Sequence, residues 1–170
     1  MEQSPKRLFY PLYGVCILES VAQGGEPDNQ EWYYNLYFPK QELRLYIPEQ
    51  RALQKHIRPL SSADSLLNAR ADFFGEPERL PLDPSKRRIL LQMKLESGLL
   101  QDHFAIIRDT LCAKDYSLKL NNNDRSILHM AKEMLVNEIM YVLNIATKDA
   151  STYVKEDMEK RQLEFNVHRS

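Results

Sequence analysis

Apolar positions change their spacing once along the chain, near residue 60. Before that point they come in short runs rich in β-branched and aromatic residues, broken by turn signals, which is the pattern of strands. The first run is Leu8 to Val21, entered through Tyr10-Pro11 with a tight turn at Gly14. Gly24-Gly25-Glu26-Pro27-Asp28-Asn29 reads as a loop, since glycine supplies positive φ and proline a fixed φ. Trp32 to Phe38 is a second strand and Pro39 to Glu42 a short reversal. In Leu43-Arg44-Leu45-Tyr46-Ile47-Pro48, positions 43, 45 and 47 are apolar and alternate with Arg44 and Tyr46, the mark of a half-buried strand. His56 to Leu60 closes the sheet with one more short strand. Closely spaced short strands predict a small, strongly bent antiparallel sheet or barrel.

After Leu60 the period becomes helical. Ser61 to Asp64 opens a helix reaching about Phe74, because serine and aspartate oxygens accept the orphan amides of a first turn. The stretch 75–84 carries Pro77, Pro81 and Pro84 and interrupts it. Asp83-Pro84 is a cap followed by proline at the first helical position, starting a helix through Glu96 that Ser97-Gly98 ends. Leu99 to about Ala113 follows, with Phe104, Ile107 and Leu111 on one stripe. Asn121 to Asp124 caps the longest helix, and a last, mostly charged helix runs from Thr147 to about Gln162 and frays over 163–170. The expected class is α+β: an antiparallel β module at 1–60 and a bundle of about five helices at 61–170.

Composition narrows the function. The 170 residues are 43% hydrophobic, enough for a real core, and the formal net charge is -1. A uniformly basic nucleic-acid coat is excluded, so any such contact comes from a local patch. Between Pro84 and Lys132 nine basic residues face five acidic ones, and Lys86-Arg87-Arg88 stands in the first turns of its helix. A run of this kind is ordinarily a solvated helix face. Cys16 and Cys112 lie far apart, without metal or disulfide spacing, and read as small buried hydrophobes in a reducing compartment. The polar start Met1 to Arg7 and the absence of a long apolar run point to a soluble cytoplasmic protein. Four histidines, His56, His103, His129 and His168, have no carboxylate or nucleophile at a catalytic spacing, and no phosphate loop is present. No enzyme activity, cofactor or metal is expected.

The order of short motifs is similar to that of the CarD/CdnL/TRCF family. Tyr10-Pro11-x-x-Gly14, Tyr33 in an aromatic strand and Leu43-x-Leu45-x-Ile47-Pro48 resemble the β module of that family. Lys94-Leu95-Glu96-Ser97-Gly98, Ile107-Arg108-Asp109-x-Leu111 and Ala131 to Ile139 resemble its helical part. The resemblance spans most of 7–145 and rests on order and spacing, since no single motif is specific.

It implies a Tudor-like β module that binds the β subunit of bacterial RNA polymerase through an exposed sheet edge. It further implies a helical domain that holds promoter DNA through backbone and minor groove without reading sequence, so that open-complex stability is modulated. The edge corresponds to Glu42 to Ile47, giving Glu42, Arg44 and Tyr46 as polymerase-binding candidates. The DNA-binding candidates are Lys86, Arg87, Arg88, Lys94, Arg125 and Lys132. Arg108, beside Asp109 in an apolar helix, is assigned instead to a structural ion pair. Family members usually carry a tryptophan just ahead of the basic cluster, used as a minor-groove wedge; the aligned position here falls at or near Pro84. Pro84 or Leu82 could substitute, but loss of the wedge is the simpler reading. The chain is read as a monomer, and the alternative function is a protein-binding adaptor that does not engage DNA.

Overall fold

A computed structural model of the chain describes residues 6–167. Strands dominate the first sixty residues, with one short helix before the last of them, and helices make up the rest, an α+β arrangement. The chain divides into two compact units, Met1–Leu60 and Ser61–Ser170. The start of the chain before Lys6, and His168 with the rest of the C-terminus, lie outside the described residues.

The first unit is one antiparallel sheet. Its strands are β1 (Lys6–Tyr10), β2 (Gly14–Glu26), β3 (Asn29–Phe38), β4 (Leu43–Pro48) and β5 (Arg58–Pro59), in the order β4-β3-β2-β1-β5. The single apolar run expected from Leu8 to Val21 is two strands. The chain reverses at Pro11 to Tyr13, where Leu12 (φ 70°) and Gly14 (φ 90°) take the left-handed conformation and the Tyr13 amide donates to the Tyr10 carbonyl at 3.0 Å.

The expected loop from Gly24 to Asn29 is instead mostly strand. Gly24 pairs with Glu31 and Gly25 with Gln30, leaving Pro27 and Asp28 as the turn. Gly25 sits at φ 105°, and a Cβ there would lie 2.5 Å from the Asn29 carbonyl oxygen. The glycines therefore let two strands stay paired to their tip.

Two further departures follow from short segments. A six-residue helix, α1 (Glu49–Gln54), follows Pro48 and buries only Ala52, so no apolar period announces it. His56 is not in a strand: it turns the chain at φ 58°, and only Arg58 and Pro59 pair with β1. The core of this unit is Leu8, Tyr10, Cys16, Leu36, Phe38, Ile47 and Ala52. Burial pushes the Cys16 thiol up to about 12, which makes it an inert core residue. Leu43, expected inward, is 42% exposed because the start of the outermost strand lies beyond this core.

The second unit holds α2 (Ala63–Phe73), α3 (Pro84–Ser97), α4 (Leu100–Cys112), α5 (Asn122–Val142) and α6 (Thr147–Val167), with a 3-10 turn at Ala113–Tyr116. The helix starts obey local chemistry. Ser62 accepts from the Ser65 amide, Asp83 from the Lys86 amide, and Asn121 and Asp124 form a reciprocal capping box. Gly98 closes α3 at φ 68°. Helix α4 is the centre: it packs against α2, α3, α5 and α6, burying Phe104, Ile106 and Ile107.

Helix α6 does not fray at Leu163 but continues to Val167. Ala150, Val154, Asp157 and Arg161 face inward along it, and Arg70 clasps Asp157 through two 2.7 Å hydrogen bonds. That contact raises the Arg70 pKa further.

Residues 74–83 have no regular structure, yet side chains satisfy their backbone. Arg161 donates to the carbonyls of Phe74 and Gly75. The Asp109 carboxylate accepts the Glu78 amide, and the Tyr116 hydroxyl accepts the Leu80 amide, both at 2.9 Å. Arg87 donates to the carbonyls of Pro81 and Leu82.

Because Leu80 is buried, Tyr116→Phe strands its amide and is expected to destabilise the helical unit by about 1–3 kcal/mol. Urea unfolding followed by circular dichroism measures this, and an unchanged midpoint would show that another acceptor replaces the hydroxyl.

Candidate functional site

Each unit carries one candidate surface. In the β unit it is the face of the sheet turned away from the core, ending at the edge strand β4. Successive side chains on a strand alternate faces, so the pairs Tyr37–Arg44 and Asn35–Tyr46 present Arg44 and Tyr46 outward while Ile47 and Leu45 join the core. Arg44 makes a forked ion pair with Glu19, Nε to Oε2 at 3.0 Å and Nη2 to Oε1 at 3.1 Å. The Glu19 carboxylate raises the Arg44 pKa. The guanidinium also lies 4.6 Å from the centroid of the Tyr37 ring.

Glu19 sits where the β2–β3 register shifts, between Leu18 and Ser20. That bulge is a local irregularity with no sequence mark, and Glu19 was missed for that reason.

Tyr46 is 56% exposed. Its ring stacks on Tyr33 at 4.6 Å with 6° between planes. Both lie over Gly24, where a Cβ would be 3.1 Å from the Tyr33 ring and from the Tyr46 hydroxyl. Glu42 is exposed but precedes β4 at φ 53°, so it belongs to the turn and not to the strand. Arg44 and Tyr46 thus stand together on an ordered face, and Glu42 stands apart in conformation.

The second surface is built where the first turns of α3 and α5 meet. Arg87, one of the expected phosphate contacts, is 2% exposed. Its Nε donates to Asp124 Oδ2 at 2.9 Å, and its Nη1 donates to Pro81 and Leu82. A guanidinium so enclosed is not presented to a ligand. Lys94 is likewise turned to the protein, with Nζ 3.2 Å from Glu78 and 3.4 Å from the buried Asp109. Arg108 pairs with Asp109 at 2.8 Å, the structural ion pair assigned to it from sequence.

What remains outward is Lys86 and Arg88, on either side of Arg87, and Arg125, next to Asp124; all three are exposed, whereas Lys132 is half-buried. The Arg87–Asp124 pair holds the two helix starts together, so these three cations flank one buried bond. Helix starts carry partial positive charge, which the capping carboxylates Asp83 and Asp124 offset in part. Leu82, immediately before the cap, is 73% exposed, and Pro84 is exposed. Trp32, the chain's single tryptophan, lies in β3.

Among the described residues no cluster of three or more histidine, cysteine or acidic side chains could hold a metal. No helix of the described residues is long and apolar enough to cross a membrane. His103 is buried within α4.

Residues 73–155 match the family model described as CarD, C-terminal domain. Over 155 residues the chain is 25% identical to "Putative transcription factor YdeB" of Bacillus subtilis (strain 168), covering 90% of this chain and 99% of that protein. Both likenesses support reading the chain as CarD-like.

Structure separates residues that sequence had grouped. Arg87→Ala leaves Asp124 buried without its partner and is expected to cost about 3–5 kcal/mol of stability. Lys86→Ala and Arg88→Ala are expected to stay within about 0.5 kcal/mol of the parent. Chemical denaturation of the three variants checks the contrast, and equal stabilities would remove the structural role of Arg87.

Proposed function

We propose that this chain is a bacterial transcription regulator that binds the RNA polymerase β subunit through the edge of β4 and promoter DNA through the helix starts of α3 and α5. The observation that supports this reading most is the position of β4. It is an edge strand whose outward Arg44 and Tyr46 are already held, by Glu19 and by the Tyr33 ring. An edge strand offers main-chain groups to an added strand, and ordered side chains lower the entropy lost on binding.

Promoter contact is assigned to Lys86, Arg88 and Arg125, which would neutralise phosphates without reading bases. Leu82 is the exposed apolar group nearest the place where the family has its tryptophan; with no aromatic there, the wedge is weak or lost. A protein that binds the opened promoter complex better than the closed one shifts that equilibrium by the difference in its affinities, with no catalytic step. The family match and the printed name of the Bacillus subtilis relative both support a role in transcription.

The adaptor reading, polymerase binding without DNA, is favoured by one observation. Burial of Arg87 and engagement of Lys94 leave a small outward charge on the helical unit.

Pull-down with the isolated β subunit is expected to succeed for the parent, weaken for Arg44→Glu and fail for a Tyr46→Pro variant whose circular dichroism is native, since proline removes a backbone donor. Undiminished binding by both variants would move the contact elsewhere.

Fluorescence anisotropy with duplex and premelted promoter fragments, with and without polymerase, tests the second half. Charge reversal at Lys86 and Arg88 together is expected to weaken promoter affinity and flatten its salt slope by about two. A parent protein with no salt-sensitive DNA signal in either condition would leave the adaptor.

A further inference from the structure

Helix α3 has a second face that neither the core nor the proposed DNA contact uses fully. Ser85, Arg88, Ile89, Gln92, Met93 and Glu96 line a shallow depression of about 390 Å³ along it. Ile89 is 61% exposed and Met93 65%, on a helix whose inward side is closed by Leu91 and Leu95. These two large apolar side chains, one turn apart, form a continuous apolar strip on the helix surface. They are framed by opposite charges, Arg88 towards the helix start and Glu96 towards its end. Gln92 holds Glu96 in place, its Nε2 donating to Oε1 at 2.7 Å.

The order of these residues makes the face complementary to itself. Neighbours four apart form ridges on a helix: one is Ser85-Ile89-Met93, the other Arg88-Gln92-Glu96. When two copies of α3 pack antiparallel about a two-fold axis, each ridge meets the same ridge of the other copy, run backwards. With the axis near Gln92, Arg88 of one copy stands opposite Glu96 of the second, and Glu96 opposite Arg88. Gln92 meets Gln92, and Ile89 lies against Met93 with an offset of about 3 Å or less along the axis. A parallel pairing in register would instead set Arg88 against Arg88 and Glu96 against Glu96. The flexible thioether of Met93 adapts to the small offset.

We propose that the α3 face of Arg88, Ile89, Gln92, Met93 and Glu96 is a homodimer contact that receives the same face of a second copy in antiparallel orientation. Charge complementarity within a single helix selects this occupant. Glu96 opposes a phosphate backbone, and a helix of another protein would need the same charge order reversed. The dimer does not rest on the DNA reading, but Arg88 belongs to both, so the two associations would compete.

Sedimentation equilibrium of the full chain from about 1 μM to 1 mM, the range of weak reversible association, is expected to show a concentration-dependent dimer. Arg88→Glu alone or Glu96→Arg alone places like charges opposite each other twice in the symmetric contact and is expected to weaken dimerisation about tenfold. The double variant R88E/E96R restores both pairs and is expected to return to within about threefold of the parent. Ile89→Asp, at an exposed position that the fold tolerates, is expected to abolish the dimer with native circular dichroism. A parent that stays monomeric throughout overturns the proposal. So does a dimer indifferent to these changes, or a double variant no better than the singles, which would exclude the antiparallel register.

Discussion

Pro77 and Pro81, in the irregular segment between α2 and α3, impose the constraint around which the helical unit is organised. A segment that cannot pair its own backbone must find donors and acceptors elsewhere or leave them buried and unsatisfied, at a cost of about 1–3 kcal/mol for each group. Side chains from α3, α4, α6 and the 3-10 turn supply them: Arg87, Asp109, Arg161 and Tyr116. The segment thereby acts as a strap bonded to all of these elements. Because Arg87 continues to Asp124, the strap also reaches the capping box of α5.

That use of charge explains what the sequence could and could not tell about the candidate DNA surface. Nine basic against five acidic residues between Pro84 and Lys132 is a correct count of charge, but a count does not say which way a side chain points. Arg87, Lys94 and Arg108 are spent on carboxylates and carbonyls within the unit. Arg108 could be foreseen, because its partner Asp109 is adjacent in sequence. Arg87 could not, because Asp124 is 37 residues away and the Pro81 and Leu82 carbonyls carry no sequence mark. Helix starts, by contrast, were readable to within a residue or two at Ser62, Asp83 and Asn121. Capping is decided by three or four neighbouring residues, and long-range pairing is not.

The β unit shows the same division. Alternation along Leu45, Tyr46 and Ile47 correctly separated the inward from the outward side chains, since the two faces of a strand differ by one residue. It failed at Leu43, where the strand outruns the core, and at Gly24-Gly25, read as a loop although the strands stay paired. There the glycines serve the tyrosines: the absence of a side chain at Gly24 lets Tyr33 and Tyr46 lie flat across the sheet. The aromatic residues of β3 divide between buried Phe38 and exposed Trp32. The stack with a residue of β4, and the Arg44–Glu19 clasp beyond it, depend on register and a bulge that composition does not encode.

The two candidate surfaces are unequal in a way that bears on how such a regulator would work. On the proposed reading, three outward cations would give a salt slope of about -2.7 on duplex DNA, a weak contact for the free protein. Strand addition at β4, as proposed, would be the more ordered contact and would come first. Once it has formed, promoter DNA held by the same polymerase is presented at an effective concentration of order millimolar, provided the geometry permits both contacts. Under that condition weakness on the DNA side is an advantage. A contact that is slight when free and counted only when tethered does not recruit the protein to bulk DNA, and its small preference for one promoter state is expressed where polymerase already sits.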